Sequence, residues 1–239
     1  MRGFSKTQSI LGIDFLDEKL QIDRPSMILI EQDQNLNHKI FEKLFIAQSY
    51  ENRNMNESIF SRSKPFLIPK KTEYVPKKLN QMKIAWRYNS HTEKKKTGFD
   101  FLESTESAEC IKFGQDREIA DFTLISELGA PHDPITEKDL FDLKKRVIQS
   151  NSVLVATCPT YLFRDKKFNF NLYFDIVLSL ESEHAEENGY HGLLRIKKFK
   201  KKPDTLIFGY KITRYGVEME TFEIAPIQET KRIGNELVF

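Results

Sequence analysis

The sequence predicts an α/β protein with a mostly parallel central sheet flanked by helices and an antiparallel strand extension at its C-terminal end. Three observations carry this expectation. A buried-strand pattern followed by a polar loop and an amphipathic helix occurs near the N-terminus, and the same alternation of strand and helix recurs between residues 121 and 157. Beyond residue 172, four strand-like segments then follow one another with no helical period between them.

Residues 26–31 (SMILIE) form a short apolar run entered through Pro25 and closed by Gln32-Asp33-Gln34-Asn35, which reads as a buried strand. Leu36, Ile40, Phe41, Leu44, Phe45 and Ala47 then recur at near-helical spacing, with His38, Lys39, Glu42 and Lys43 between them, so an amphipathic helix follows. Residues 52–100 are polar, with Lys70-Lys71, Lys77-Lys78 and Lys94-Lys95-Lys96 and prolines at 65, 69 and 76. They are expected to be an insertion with little structure of its own inside a single domain spanning 1–239. Within them the island 82–88 (MKIAWRY) reads as a strand, and its Trp86 serves either a core crevice or direct binding.

Residues 121–126 (DFTLIS) read as a second core strand, ended by Gly129-Ala130-Pro131. Thr136-x-x-Asp139 makes a capping-box start for a helix whose apolar face is expected to be Leu140, Phe141, Leu143, Val147 and Ile148. Residues 152–157 (SVLVAT) suit a central parallel strand buried on both faces. Segments 173–180, 192–199, 205–213 and 217–224 are expected to make the hairpin-connected extension, with Tyr215-Gly216 as the last turn.

Composition bounds the function. The chain has 239 residues with 37 Lys+Arg against 35 Asp+Glu, a net charge of +2 that leaves nucleic-acid contact to local patches. No run approaches the ~20 apolar residues of a membrane helix, and no apolar run follows the first residues as in a signal peptide, so neither membrane nor secretory function is expected. Cys110 and Cys158 are isolated, which fits a reducing compartment.

The loop after the first strand is where a phosphate-binding loop would sit. That loop needs glycines, a Lys and a Ser/Thr, whereas residues 31–39 read EQDQNLNHK, with two carboxylates, no glycine and no Lys-Ser/Thr pair. Lys39 reads as a solvated helix residue, and conventional nucleotide hydrolysis in this slot is not expected. The five histidines lack the spacing of a metal site, and no catalytic residue, cofactor or metal is expected. Arg164, Lys166 and Lys167, with Tyr161 and Phe163, follow the SVLVAT strand, on the side where ligand-facing loops leave α/β sheets. They form either an RNA-contacting loop or a solvated one. Lys197, Lys198, Lys200, Lys201 and Lys202 make a second basic patch, for RNA or for protecting a strand edge.

The segment MKIAWRY (82–88), after a basic and proline-containing stretch, resembles one typical of the fourth subunit of the Elongator complex, and MILIEQD (27–33), Gly129-Ala130-Pro131, Cys158-Pro159-Thr160, DIVLSLES (175–182), YHGLL (190–194) and KRIG (231–234) occur in the same order as in that family. The sequence resembles that family over nearly its whole length. The resemblance implies a RecA-like ATPase fold without the usual nucleotide motifs, and a heterohexameric ring with the fifth and sixth Elongator subunits. It implies that this ring works with the remaining Elongator subunits on modification of tRNA wobble uridines. The expected compartment is the cytoplasm, with the nucleus as the alternative. Active relatives often carry Lys-x-Arg on a late strand, where this chain has Lys197-Lys198-Phe199. The expected function is therefore a non-catalytic ring subunit that helps bind tRNA. The alternatives are a RecA-like ATPase using a non-standard site or shared interface, and a recombinase paralogue acting on single-stranded DNA.

Overall fold

The computed structural model describes residues 9–32, 38–53, 58–61, 68–74, 96–105, 111–113, 119–131, 134–163, 170–183, 185–199 and 206–222. In chain order these form α1 (Asp14–Leu20), β1 (Ser26–Gln32), α2 (Lys39–Asn52), β2 (Ile59–Ser61), β3 (Ile68–Tyr74), β4 (Lys96–Thr105) and β5 (Ile111–Phe113). They continue through β6 (Phe122–Ile125), α3 (Glu137–Gln149), β7 (Val153–Cys158), β8 (Ile176–Glu181), β9 (Gly192–Lys198), β10 (Ile207–Thr213) and β11 (Gly216–Thr221).

A nine-stranded sheet has the order β11-β10-β9-β8-β1-β7-β6-β2-β5. From β8 to β5 all pairings are parallel, whereas β9, β10 and β11 run antiparallel to their neighbours. β1 and β7 are buried along their whole lengths, as expected of central parallel strands covered on both faces. Their side chains alternate between two cores. Ile28 and Ile30 join the cluster built by Leu16 and Leu20 of α1 and Phe41, Leu44 and Phe45 of α2, while Met27 and Leu29 pack with Leu140, Leu143 and Val147 of α3. The β3–β4 hairpin forms a separate two-stranded sheet that packs on α2 and touches β11.

Four expectations are corrected. The stretch 52–100 carries β2, β3 and the first half of β4 among its described residues, and β2 is an inner strand of the main sheet. Three residues are too few to display alternation, and the hairpin is set by long-range pairing from Ile68 with Thr105 to Tyr74 with Lys96. The island 82–88 lies outside the described residues. Helix α3 opens with the expected capping box, yet Phe141 and Ile148 are 63% and 56% exposed. Leu140, Leu143 and Val147 alone make the buried stripe, which is narrower than the apolar composition suggested. Residues 173–180 do not begin the antiparallel extension, because β8 pairs parallel with β1. The chain crosses over β1 between β7 and β8, and the antiparallel order starts only at β9. Finally, Thr213 pairs with Gly216, so the last turn is Arg214-Tyr215.

Candidate functional site at the carboxyl edge of the parallel strands

Strand order reverses around β1: the connection through α2 leads to one side, and β8 lies on the other. In open α/β sheets this switch point, at the carboxyl ends of the strands, is where ligands bind. The edge here is formed by Glu31 and Gln32 of β1, Ser126 and Glu127 after β6, Thr157 and Cys158 of β7, and the first turn of α2. Aligned to the spacing G-x-x-x-x-G-K-[ST], residues 33–40 (DQNLNHKI) put Asp33 and His38 at the glycine positions, Lys39 at the lysine and Ile40 at the hydroxyl residue.

The centre of the edge is a buried polar cluster. Glu42, 0% exposed in the first turn of α2, accepts a hydrogen bond from Thr157 Oγ1 (2.7 Å) through its Oε1, and a further one from the Ser126 side chain. Thr157 in turn accepts the Glu127 N–H (3.0 Å), and its carbonyl accepts the Leu128 N–H (2.7 Å). This lets the chain turn sharply after β6 with Glu127 in the left-handed region (φ 55°). His38, 5% exposed, lies 3.6 Å through Nε2 from Glu42 Oε1, too far for a hydrogen bond. Both its ring nitrogens and Glu42 Oε2 are buried without a hydrogen-bond partner.

Burial pushes the Glu42 carboxyl up from its ordinary range, against the opposing hydrogen bonds of Thr157 and Ser126. Burial, helped by the Lys39 charge, pushes the His38 imidazole down. Both groups are driven toward their uncharged forms, the condition under which such a pair can sit in a low-dielectric interior. Lys39, at the mouth, faces Glu127 at 3.9 Å.

Glu31, at the end of β1, is paired through Oε2 with Lys197 Nζ at 2.5 Å. A bulge produces this contact. Val177 pairs with Lys198 and Leu178 with Ile196, so Lys197 is the extra residue of β9 and is re-aimed across β8. Cys158 is buried beside Glu31, and burial together with that charge pushes its thiol up to about 12, so it is an inert core group.

These residues do not fit a magnesium nucleotide. His38 places a buried imidazole where the loop needs close backbone approach, Ile40 has no hydroxyl for a metal, and carboxylates stand at Glu31, Glu42 and Glu127. Among the described residues no group of three or more His, Cys, Asp and Glu could hold a metal ion.

Of the residues singled out in the sequence, Tyr161 and Phe163 lie in the 3-10 turn Thr160–Phe163 directly after β7, so their loop leaves the same edge. Arg164, Lys166 and Lys167 lie outside the described residues. The second basic patch is divided. Lys197 is turned onto Glu31, the Lys198 ammonium donates to the Phe174 carbonyl at 2.6 Å, and Lys200, Lys201 and Lys202 lie outside the described residues. Burial and the nearby Lys144 lower the Lys198 pKa, with Asp175 opposing. The sequence reading missed the pairing of His38, Glu42 and Thr157. The available signal was a His and a Glu at i,i+4 on the inward side of an amphipathic helix.

Neither family models nor curated proteins give a match to this sequence. Solved structures do match its fold. A KaiC-like protein from the archaeon Pyrococcus horikoshii superimposes with a TM-score of 0.52 at 12% identity, over 88% of this chain and 97% of that one. The flagellar accessory protein FlaH from Methanocaldococcus jannaschii gives a TM-score of 0.52 at 13% identity, over 92% of this chain and 99% of that one. The fold is RecA-like, with a mostly parallel central sheet and antiparallel strands at its C-terminal end.

Proposed function

We propose that this chain, as one RecA-like domain over residues 1–239, is a non-catalytic subunit of an Elongator-type complex. In this reading it forms a heterohexameric ring with the fifth and sixth subunits, joins the remaining Elongator subunits, and helps hold the tRNA whose wobble uridine is modified, in the cytoplasm or, as the alternative, the nucleus. The observation that carries the reading is the buried His38–Glu42–Thr157 cluster, which stands where a RecA-like ATPase would build its phosphate cradle. The turning of Lys197 onto Glu31 supports it, because that late-strand cation is engaged within its own chain. The family-like segments noted in the sequence supply the choice of complex.

The test is co-expression with the fifth and sixth subunits, followed by native mass spectrometry and tRNA titration. The expected result is a mixed ring, no magnesium-dependent ATPase activity of the isolated chain, and weaker tRNA binding when Arg164, Lys166 and Lys167 are replaced by Ala together. The salt dependence should become shallower by up to about two to three units of slope if all three meet phosphates. A well-folded monomer that ignores both subunits overturns the assembly reading. Intact rings with unchanged tRNA affinity and salt slope overturn the role of the 164–167 loop.

A second reading, a RecA-like ATPase with a non-standard site, draws on one observation: Lys39 keeps the phosphate-loop lysine position as the first residue of α2. Turnover by the homogeneous chain that is abolished in Lys39→Met would establish it instead.

A further inference from the structure

Beside β11 the structure holds a cleft of ≈ 640 Å³ that shares no residue with the carboxyl-edge cluster. Its size lies inside the range of about 300–1,000 Å³ typical of ligand sites. One wall is α1, whose approach is held by the Asp17 carboxylate accepting the N–H groups of Ile10, Leu11, Gly12 and Ile13. The opposite wall is the β3–β4 hairpin, fixed to the 214–215 turn by Phe99 N–H to the Tyr215 carbonyl (3.0 Å) and Phe101 N–H to the Arg214 carbonyl (3.0 Å).

Two features define what the cleft would accept. Tyr74, the last residue of β3, stacks on Tyr215 with ring centroids 4.5 Å apart and planes at 18°, a flat aromatic pair. Gly98 permits this approach, since a Cβ there would meet the Tyr215 carbonyl oxygen at 2.3 Å and a Tyr74 ring carbon at 2.9 Å. Charge is arranged around the pair with both signs. Burial, with the nearby Glu218 and Asp14 carboxylates adding to it, holds the Tyr74 hydroxyl above its usual range, while Lys71 and Lys96 line the hairpin side. A purely cationic guest would meet the lysines, and a purely anionic one the carboxylates. The matching guest has a flat ring, an anionic end and hydrogen-bond donors.

We propose that this cleft binds a nucleotide unit. The base lies on the Tyr74 side of the pair, since the Arg214 guanidinium covers the Tyr215 ring (5.2 Å to its centroid), while Lys71 and Lys96 take the phosphate and Asp14 and Glu218 accept hydrogen bonds from ribose hydroxyls or an exocyclic amine. The unit comes either as a free nucleotide or as part of a single strand of RNA, and the site does not depend on the tRNA loop proposed above.

Calorimetric titration of the full chain with AMP and with the tetranucleotide rA4, at one salt concentration, tests it. Binding of AMP alone identifies a free nucleotide, and tighter binding of rA4 identifies an RNA unit. Tyr74→Leu should weaken whichever probe binds by about tenfold or more, the scale of losing one base–aromatic stack. Lys96→Ala, at an exposed position that leaves the fold intact, should weaken it as well and flatten its salt dependence. The 164, 166 and 167 triple variant should leave these titrations unchanged, which separates failure here from failure of the proposed function. The proposal is overturned if neither probe binds. It is equally overturned if a folded Tyr74→Leu and Lys96→Ala both bind as the parent does, or if Lys39→Ala abolishes binding.

Discussion

The carboxyl edge of the parallel strands and the cleft beside β11 are both polar, but their polar groups are committed differently. At the edge, Thr157 joins β7 to the turn after β6 and to α2, Glu42 closes that contact from below, and Lys197 is drawn onto Glu31. The Thr157–Glu42 bond holds the sheet to its helix, and the Glu31–Lys197 pair ties β1 to β9 within the sheet. Around the cleft, Lys71, Lys96, Asp14 and Glu218 stand on elements already fixed by backbone hydrogen bonds and by the Asp100–Arg214 pair. A RecA-like scaffold can thus turn the carboxyl edge of its strands into internal structure, while the polar side chains that line the cleft take no part in that joint.

The largest effect is expected from Thr157→Val, nearly isosteric but without the hydroxyl. It removes a hydrogen bond from Glu42 and the acceptor for the Glu127 N–H inside the protein, so a loss of about 2–4 kcal/mol is expected in urea unfolding. A loss below about 1 kcal/mol would mean that the edge is not the structural joint described.

A smaller effect is expected at the cleft wall. Arg214 Nη2 lies 2.6 Å from Asp100 Oδ2, and the guanidinium's hydrogen bonds hold the Asp100 carboxyl below its ordinary 3.8. A carboxyl lowered on folding contributes stability that is present above 3.8 and is lost as pH falls through the depressed value. Asp100→Asn should therefore melt below the parent at neutral pH, with the gap closing in acid below pH 3.8. A gap independent of pH would remove the ion pair as its cause.

The smallest effect, and the one that sharpens the contrast, is at Glu42. Its pKa is raised on folding, so its contribution is fully present below the ordinary 4.5 and is lost as pH rises through the folded value. Glu42→Gln keeps an acceptor for Thr157 but cannot ionise. It should melt progressively above the parent as pH increases from about 4.5, and parallel melting curves across pH would contradict the buried neutral carboxyl. His38 acts in the opposite sense, since its lowered pKa costs stability as pH falls below 6.5, but it does so in parent and variant alike, so the difference between the two melting curves reports Glu42.

Much of the parallel core was legible from local pattern. The apolar runs at β1, β6 and β7 and the capping box of α3 announce themselves because burial on both faces and helix capping leave marks within a few residues. The same locality explains the misses. β8 looks like any other buried strand, and only its partner β1 makes it parallel. The pieces β2 and β5 carry three residues each, too few to show a period. Phe141 and Ile148 entered the expected apolar face by composition, while the position of α3 over the sheet leaves them in solvent.

The site divides along the same line. The amino-acid sequence by itself determined that the phosphate-loop position has no glycine and no hydroxyl residue after its lysine, and that basic and aromatic residues follow β7, because these are matters of residue type at a given spacing. Only the tertiary structure decided that Glu42, Thr157 and His38 meet, that Lys197 faces Glu31, and that Tyr74 stacks on Tyr215. The first contact joins residues 115 apart and the second residues 166 apart. Such pairings depend on strand order, on a bulge and on a hairpin folded back over a helix, none of which leaves a trace in the residues on either side of the contact.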